Sequence, residues 1–549
     1  MRAPFVAIAV ATLVTPLGAG IASATRAPNA PAQHARAHTV AVRSATLAVA
    51  ARHHPDFNGD GYADLIAEVP NDNVGSAQGA GAIWAIYGGA HGANTSNRHT
   101  LITESSVAHG ATSNDADNFG WVTAWGDFNH DGYDDLAIGA PGTTVDGQSS
   151  AGEVVVLYGS AHGLGSTNAQ VFTEATTGLG ATPQLNDYFG LGLAAGDFNH
   201  DGDTDLAIDA GGVGVHGVTR SGRVYELFGT RGGLSHASPL LPQHFDESTP
   251  GIHGGLVQND DWGRTLAAGD FNGDGYADLA VGAPKKAVGS EGGAGVVDVL
   301  YGGHGGLSAK GAQTWTENTA GVPANSEPAD AWGWSLAAFD INGDHRSDLV
   351  VGAPTKTVTA LSSAGTLTML YGSAHGLNAS VSPQQVYVLS NITNSQSPAA
   401  DDELGVSLAA FDFDGDHRPD LAIGVSGRHI LGRANAGEVV VLHNVGGRLS
   451  RTGGFVIDRT FSNDVPGANQ NFGLVLTPGD FSGNGAADLG VSLPGLTVDT
   501  ETGAGAMQVF YGSAHGFSRA TQQLWDAPAL GGTAVQDAAF GGLNNPAGA

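Results

Sequence analysis

With 549 residues, no cysteine and a formal net charge of -31, the chain is long enough for one large domain or several ordinary ones, and it can form neither disulfides nor thiolate metal sites. Lys and Arg number 22 against 53 acids, and this balance disfavours nucleic acid, because phosphate binding needs concentrated positive charge. If the chain is secreted, something other than disulfides must stiffen its loops.

Met1 and Arg2 lead an apolar run from Phe5 to about Leu17, and Ala22-Ser23-Ala24 supplies the small residues that a signal peptidase needs. Residues 1–24 therefore read as a secretory signal. Thr12, Thr15, Pro16 and Gly18 interrupt the run before it reaches the roughly twenty apolar residues of a membrane anchor. No other segment is apolar enough to span a bilayer, so a secreted, extracellular protein is expected. Residues 25–52 are rich in Ala, Arg, His and Pro and read as a flexible linker, with Thr46 to Ala51 able to pair weakly as a strand.

From residue 53 to 549 one nine-residue loop recurs, starting at residues 56, 127, 197, 270, 340, 412 and 480, which are separated by 71, 70, 73, 70, 72 and 68 residues. Positions 1, 3, 5 and 9 carry side-chain oxygens, and position 7 offers a backbone carbonyl. Calcium takes six to eight such oxygens at about 2.3–2.6 Å. The expected ligand sets are Asp56, Asn58, Asp60, Tyr62 and Asp64; Asp127, Asn129, Asp131, Tyr133 and Asp135; Asp197, Asn199, Asp201, Asp203 and Asp205; and Asp270, Asn272, Asp274, Tyr276 and Asp278. They continue as Asp340, Asn342, Asp344, Arg346 and Asp348; Asp412, Asp414, Asp416, Arg418 and Asp420; and Asp480, Ser482, Asn484, Ala486 and Asp488. The seventh set keeps two acids, so six to seven calcium ions are expected. An EF-hand would place Glu at position 12, where the fourth loop has Val281, so the loop runs into a strand instead of a helix. Position 6 is Gly except at His345 and His417, which read as substitutes tolerating a left-handed backbone.

Eight residues before each later loop stands an aromatic or apolar residue followed by Gly, as in Phe119-Gly120 and Trp262-Gly263. Twelve residues after the loop's first Asp comes Gly-Ala-Pro or a degenerate version of it, as at Gly282. Two further β-rich runs complete each unit of about 70 residues. Four short strands per unit suit a blade of a propeller. The first loop lacks its upstream aromatic-glycine, whereas Phe540-Gly541 follows the seventh unit, so residues 527–549 are expected to supply the closing strand of the first blade.

These motifs, from about Pro55 to the C-terminus, resemble the FG-GAP repeat of integrin alpha subunits and of secreted bacterial proteins. The Tyr-Gly-Ser-Ala-His-Gly runs at Tyr158, Tyr371 and Tyr511 are similar to actinobacterial members. The resemblance implies an all-β, seven-bladed propeller of four-stranded antiparallel blades, with calcium between the first and second strand of a blade.

Functionally, the chain reads as an extracellular adhesion or recognition module, a monomer binding a protein or polysaccharide through loops on one face. The stretch from Glu317 to Ala331 is a candidate contact, and Trp315, Trp334 and Trp525 could stack on sugars or pack the blades. A hydrolase or lyase using the central pocket and a structural envelope protein are the alternatives. The repeated Ser160/His162 and Ser373/His375 pairs sit at equivalent turns and lack a third orienting group, so no catalytic residue is assigned.

Overall fold

The computed structural model describes residues 55–93, 98–107, 112–236, 241–379, 385–393, 396–519 and 522–542. They form seven separate antiparallel sheets arranged in a ring. Six have four strands. The first has three among the described residues: Leu65–Val69, Ala82–Ile86 and His99–Ile102.

Blade 4 shows why this sequence makes such sheets. Its strands are Thr265–Gly269, Asp278–Ala283, Val296–Tyr301 and Ser308–Trp315, paired in order, with Ala267 opposite Ala280, Val281 opposite Asp298 and Val297 opposite Trp315. The second strand, Asp-Leu-Ala-Val-Gly-Ala, is buried at every position. Side chains alternate across a strand. Accordingly Leu279, Val281 and Ala283 pack toward blade 3 with Phe198 and Val224, while Ala280 packs toward blade 5 with Leu349 and Val351. A strand covered on both faces reads as a continuous apolar run, which here resembles a parallel-sheet strand although every pairing is antiparallel. Seven apolar clusters, one per blade junction, replace a single core.

The residue before the glycine, aromatic in six blades and Leu404 in blade 6, packs into each junction. Phe119, Phe189, Trp262, Trp332, Leu404, Phe472 and Phe540 are all fully buried. Trp262 satisfies its indole by donating Nε1–H to Asp298 Oδ2 at 2.8 Å, and Trp332 donates to Thr368 Oγ1 at 3.2 Å. An aromatic side chain buries about 150–250 Å², so each contributes roughly 4–6 kcal/mol of transfer free energy as an upper estimate. Trp315, Trp334 and Trp525 are likewise buried, at 6%, 4% and 2% exposure, which removes them as exposed sugar platforms; Trp315 and Trp525 pack blade junctions, and Trp334 borders the cavity on the ring axis.

Blades 7 and 1 share a cluster containing Leu65, Phe481, Met507, Trp525 and Phe540. Gly541 N–H donates to Glu68 O at 2.8 Å, placing the C-terminal segment beside blade 1. Of residues 527–549, expected to supply that blade's closing strand, residues 543–549 lie outside the described residues, as do the expected signal, the linker and the Thr46–Ala51 strand.

Candidate metal centres

Each loop follows from its inner strand's end. In blade 4 the strand stops at Gly269, and Asp270 then accepts backbone N–H groups from Gly273 (2.6 Å), Asp274 (3.2 Å) and Gly275 (3.0 Å). Asn272 Oδ1 accepts Asp274 N–H at 2.8 Å, and Asp274 Oδ1 accepts Tyr276 N–H at 3.1 Å. Short polar side chains folding back on their own backbone make the curl. Left-handed residues complete it: His345 and His417 have φ of 65° and 70°, as expected for substitutes of glycine at position 6.

Position 9 plays a different part. Asp278 is fully buried and accepts two backbone N–H groups, from Phe271 within the loop and from Gly302 in the turn after the third strand, both at 2.9 Å. The same pair of bonds recurs at Asp64, Asp135, Asp205, Asp348 and Asp420, and at Asp488 with Ser482 N–H in place of the position 2 donor. These carboxylates therefore fasten two separate turns to the loop. Burial pushes Asp278 up to about 8, the backbone bonds pull it down, and Asp270 and Asp274 push it further up. Asp64 and Asp135 also reach about 8 and Asp205 about 9, with burial first among the causes.

The donor set fits a hard divalent cation, because loops 1 to 5 present carboxylate, amide and carbonyl oxygens and no nitrogen or sulfur ligand at positions 1, 3, 5 and 9. In blade 6, carboxylate oxygens of Asp412, Asp414 and Asp416 lie within 4.8 Å of one another. Loop 7 holds its curl with less charge: Ser482 Oγ and N–H both reach Asp488, and Asn484 Nδ2 is spent on Gly512 O at 2.9 Å. At position 7, the N–H groups of Tyr62, Tyr133, Asp203, Tyr276, Arg346 and Arg418 bond the position 5 carboxylate, and that of Ala486 bonds Asn484 Oδ1.

One arrangement was not foreseen from sequence. In six of the seven loops the position 8 N–H donates to the position 1 carbonyl of the loop before it: Asp134 to Asp56, Thr204 to Asp127, Ala277 to Asp197, Ser347 to Asp270 and Ala487 to Asp412. Ala63 N–H donates to Asp480 O at 3.1 Å, joining the last loop to the first. Pro419 occupies this position in blade 6 and has no N–H to give.

The repeated Ser-His turns are also structural. Ser160 Oγ donates to Gly163 O at 2.8 Å and accepts His162 N–H, and Ser373 does the same with Gly376 and His375. The glycine closing that turn is required by the neighbouring blade, since a Cβ on Gly163 would lie 2.2 Å from the Tyr87 hydroxyl. That hydroxyl instead accepts Leu164 N–H at 2.9 Å, and Tyr158 repeats the bond with Leu234. Within the Glu317–Ala331 stretch, Glu317 and Asp330 are buried, each at 1% exposure, so they face inward.

A cavity of about 280 Å³ lies on the ring axis, bordered by the first residues of the inner strands and by Glu68. Its described lining holds one acid, Glu68, pushed up to about 7 by burial and hydrogen-bonded by Thr123 Oγ1 at 2.9 Å. It also holds one cation, Arg264, stacked near Trp334, and no histidine.

The FG-GAP repeat profile matches residues 55–86, 119–157, 189–227, 262–300, 332–368 and 404–442, the first six blades. The phosphatidylinositol-glycan-specific phospholipase D of Homo sapiens is 35% identical over 237 residues, which are 43% of this chain and 26% of that protein. Integrin alpha pat-2 of Caenorhabditis briggsae is 28% identical over 291 residues, 50% of this chain and 21% of that one. The chain thus spans about a quarter or less of the length of these relatives. A solved AofleA variant from Arthrobotrys oligospora aligns over 77% of this chain and 95% of that chain at 11% identity, with a TM-score of 0.35, too weak a likeness to bear on the argument. On its repeats, their order and the seven blades they build, the chain belongs to the FG-GAP repeat family and is an integrin-alpha-like β-propeller.

Proposed function

We propose that the protein is a secreted, calcium-stabilised adhesion or recognition module taking six to seven calcium ions. The observation that supports this reading is the buried position 9 carboxylate, which accepts backbone N–H groups from two turns in every blade, in a loop whose positions 1, 3 and 5 carry side-chain oxygens. Extracellular calcium sites have dissociation constants of about 0.1–1 mM, so tenfold excess calcium adds roughly 1.4 kcal/mol per site. Several such increments stiffen a large fold that has no disulfides. The melting temperature should fall markedly in excess chelator; identical melts with and without calcium would remove the calcium reading.

For the contact face we assign the end opposite the calcium loops. The second strand starts at the loop, so the hairpin that follows it projects from the other end. Blade 6 carries Leu431 at that tip, 80% exposed, between Arg428 and Arg433. An extracellular protein or polysaccharide is the expected partner. Leu431→Asp should abolish capture of that partner on a glycan array or in a pull-down from culture supernatant, without changing the melt; undiminished capture would move the contact elsewhere. The second reading, a hydrolase or lyase, rests on the axial cavity with Glu68 and Arg264. It requires turnover of a polysaccharide or lipid substrate that is lost in Glu68→Gln.

A further inference from the structure

Blade 6 departs from its neighbours at one place. Blades 1, 2, 4, 5 and 7 carry Tyr-Gly at the end of the third strand, at Tyr87, Tyr158, Tyr301, Tyr371 and Tyr511, whereas blade 6 has His443-Asn444. It also has Asp414 at loop position 3, where the first five loops carry Asn. The two changes meet in space. His443 Nδ1 lies 3.2 Å from Asp414 Oδ2 and 3.2 Å from Asp420 Oδ2. One ligand atom from each of these three residues falls within 4.8 Å of the others.

The surroundings hold this constellation in place. His443 is 6% exposed and its ring packs edge-on against Phe455. Asp420 is fixed by Phe413 N–H at 3.0 Å and Asn444 N–H at 2.8 Å. Asn444 Nδ2 in turn donates to Ile341 O in blade 5. Asp414 is partly exposed and borders a cavity of about 320 Å³, which also meets Arg418 and His515 and gives an entry path.

Calcium takes oxygen donors, whereas an imidazole nitrogen with carboxylates suits zinc and its first-row neighbours. Zinc–nitrogen and zinc–oxygen bonds of about 2.0–2.2 Å at a tetrahedral angle set adjacent donors about 3.3–3.5 Å apart. The observed 3.2 Å separations are close to that edge. We propose that blade 6 carries a zinc-class metal site formed by His443 Nδ1 and one oxygen each of Asp414 and Asp420, with water in the fourth position. This deepens the metal-loop reading above and rests on its scaffold, and it takes Asp414 and Asp420 out of the calcium set of blade 6, leaving calcium to the other loops.

The test uses the mature chain dialysed against zinc in millimolar calcium, with retained metal measured by elemental analysis. His443→Tyr and Asp414→Asn each restore the residue found in other blades, so both variants are expected to fold. Wild type should retain one more zinc per chain than either variant, and zinc affinity should drop more than about tenfold in both. Equal zinc in wild type and His443→Tyr, or none in either, overturns the site and leaves His443 as an internal partner of the two carboxylates. Calcium-dependent melting of the same samples reads the calcium proposal independently, so either can fail alone.

Discussion

Blade junctions 4–5 and 1–2 are built on the same plan and differ at two side chains, Lys356 against Thr143 and Thr366 against Glu153. At 4–5, Lys356 enters a buried acid pair, with Nζ 3.0 Å from Glu317 Oε2, 2.7 Å from Asp330 Oδ2 and 2.8 Å from Asn325 O. Junction 3–4 repeats this with Lys286, Glu247 and Asp260. At 1–2 the acids are Glu104 and Asp117, and the lysine position is Thr143, whose buried hydroxyl finds no hydrogen-bond partner among the described residues. A third acid, Glu153, is added there. Burial, then Glu153 and Asp117, push Glu104 up to about 9. The lesson is that a repeat can keep the cost of a buried acid pair after losing the cation that offsets it.

Junction 7–1 marks the limit of this comparison, because Ala527 and Ala538 stand where the acids would be. There apolar contact must suffice. Deleting residues 527–549 removes Phe540 and the Gly541 bond to Glu68, and it should produce the largest drop in melting temperature of any change considered. An unchanged melt would mean that the ring closes without its C-terminus. Next in size, Lys356→Met leaves Glu317 and Asp330 buried without their cation and should cost about 3–5 kcal/mol in urea unfolding. A loss under about 1 kcal/mol would make the ion pair dispensable.

Thr143→Lys runs the comparison in reverse. The folded chain holds a proton on Glu104 that the unfolded chain releases near the ordinary value of about 4.3. Stability from that proton is present at low pH and is lost as pH rises from about 5 toward 9. The lysine, facing Glu104, Asp117 and Glu153, should stabilise the protein at pH 8 and flatten the slope between pH 5 and 9 measured in calcium. A parallel, unshifted pH profile would show that the added ammonium does not reach the acids. The smallest effect is expected for Ser160→Ala, about 1 kcal/mol for two turn hydrogen bonds, with no effect on any ligand.

What could be read from sequence was whatever recurs with the period. The loops, the buried residue before each glycine and the unpaired Phe540-Gly541 all lie in register along the chain, so the propeller followed from spacing, while the closing strand expected from residues 527–549 runs into residues outside those described. Contacts between units carry no such local signal. Tyr158 meets Leu234 across 76 residues, Lys356 meets Glu317 across 39, and neither separation marks itself. Whether Trp315 packs a blade or stacks on a sugar stayed open for a related reason: composition cannot tell the face of a blade that meets its neighbour from one that meets water. The His443 site was legible only as an exception, once Tyr-Gly was known to be the rule.

The chain of bonds between successive loops has a mechanical reading. Six links run from loop to loop, and they include the one across the open ends of the polypeptide, so the covalent break in the ring is stitched. The missing link falls in mid-chain, at Pro419, where blade 6 leans on blade 5 through the Asn444 side chain instead. Pulled apart as a hoop, this ring should part first between blades 5 and 6, well away from its termini.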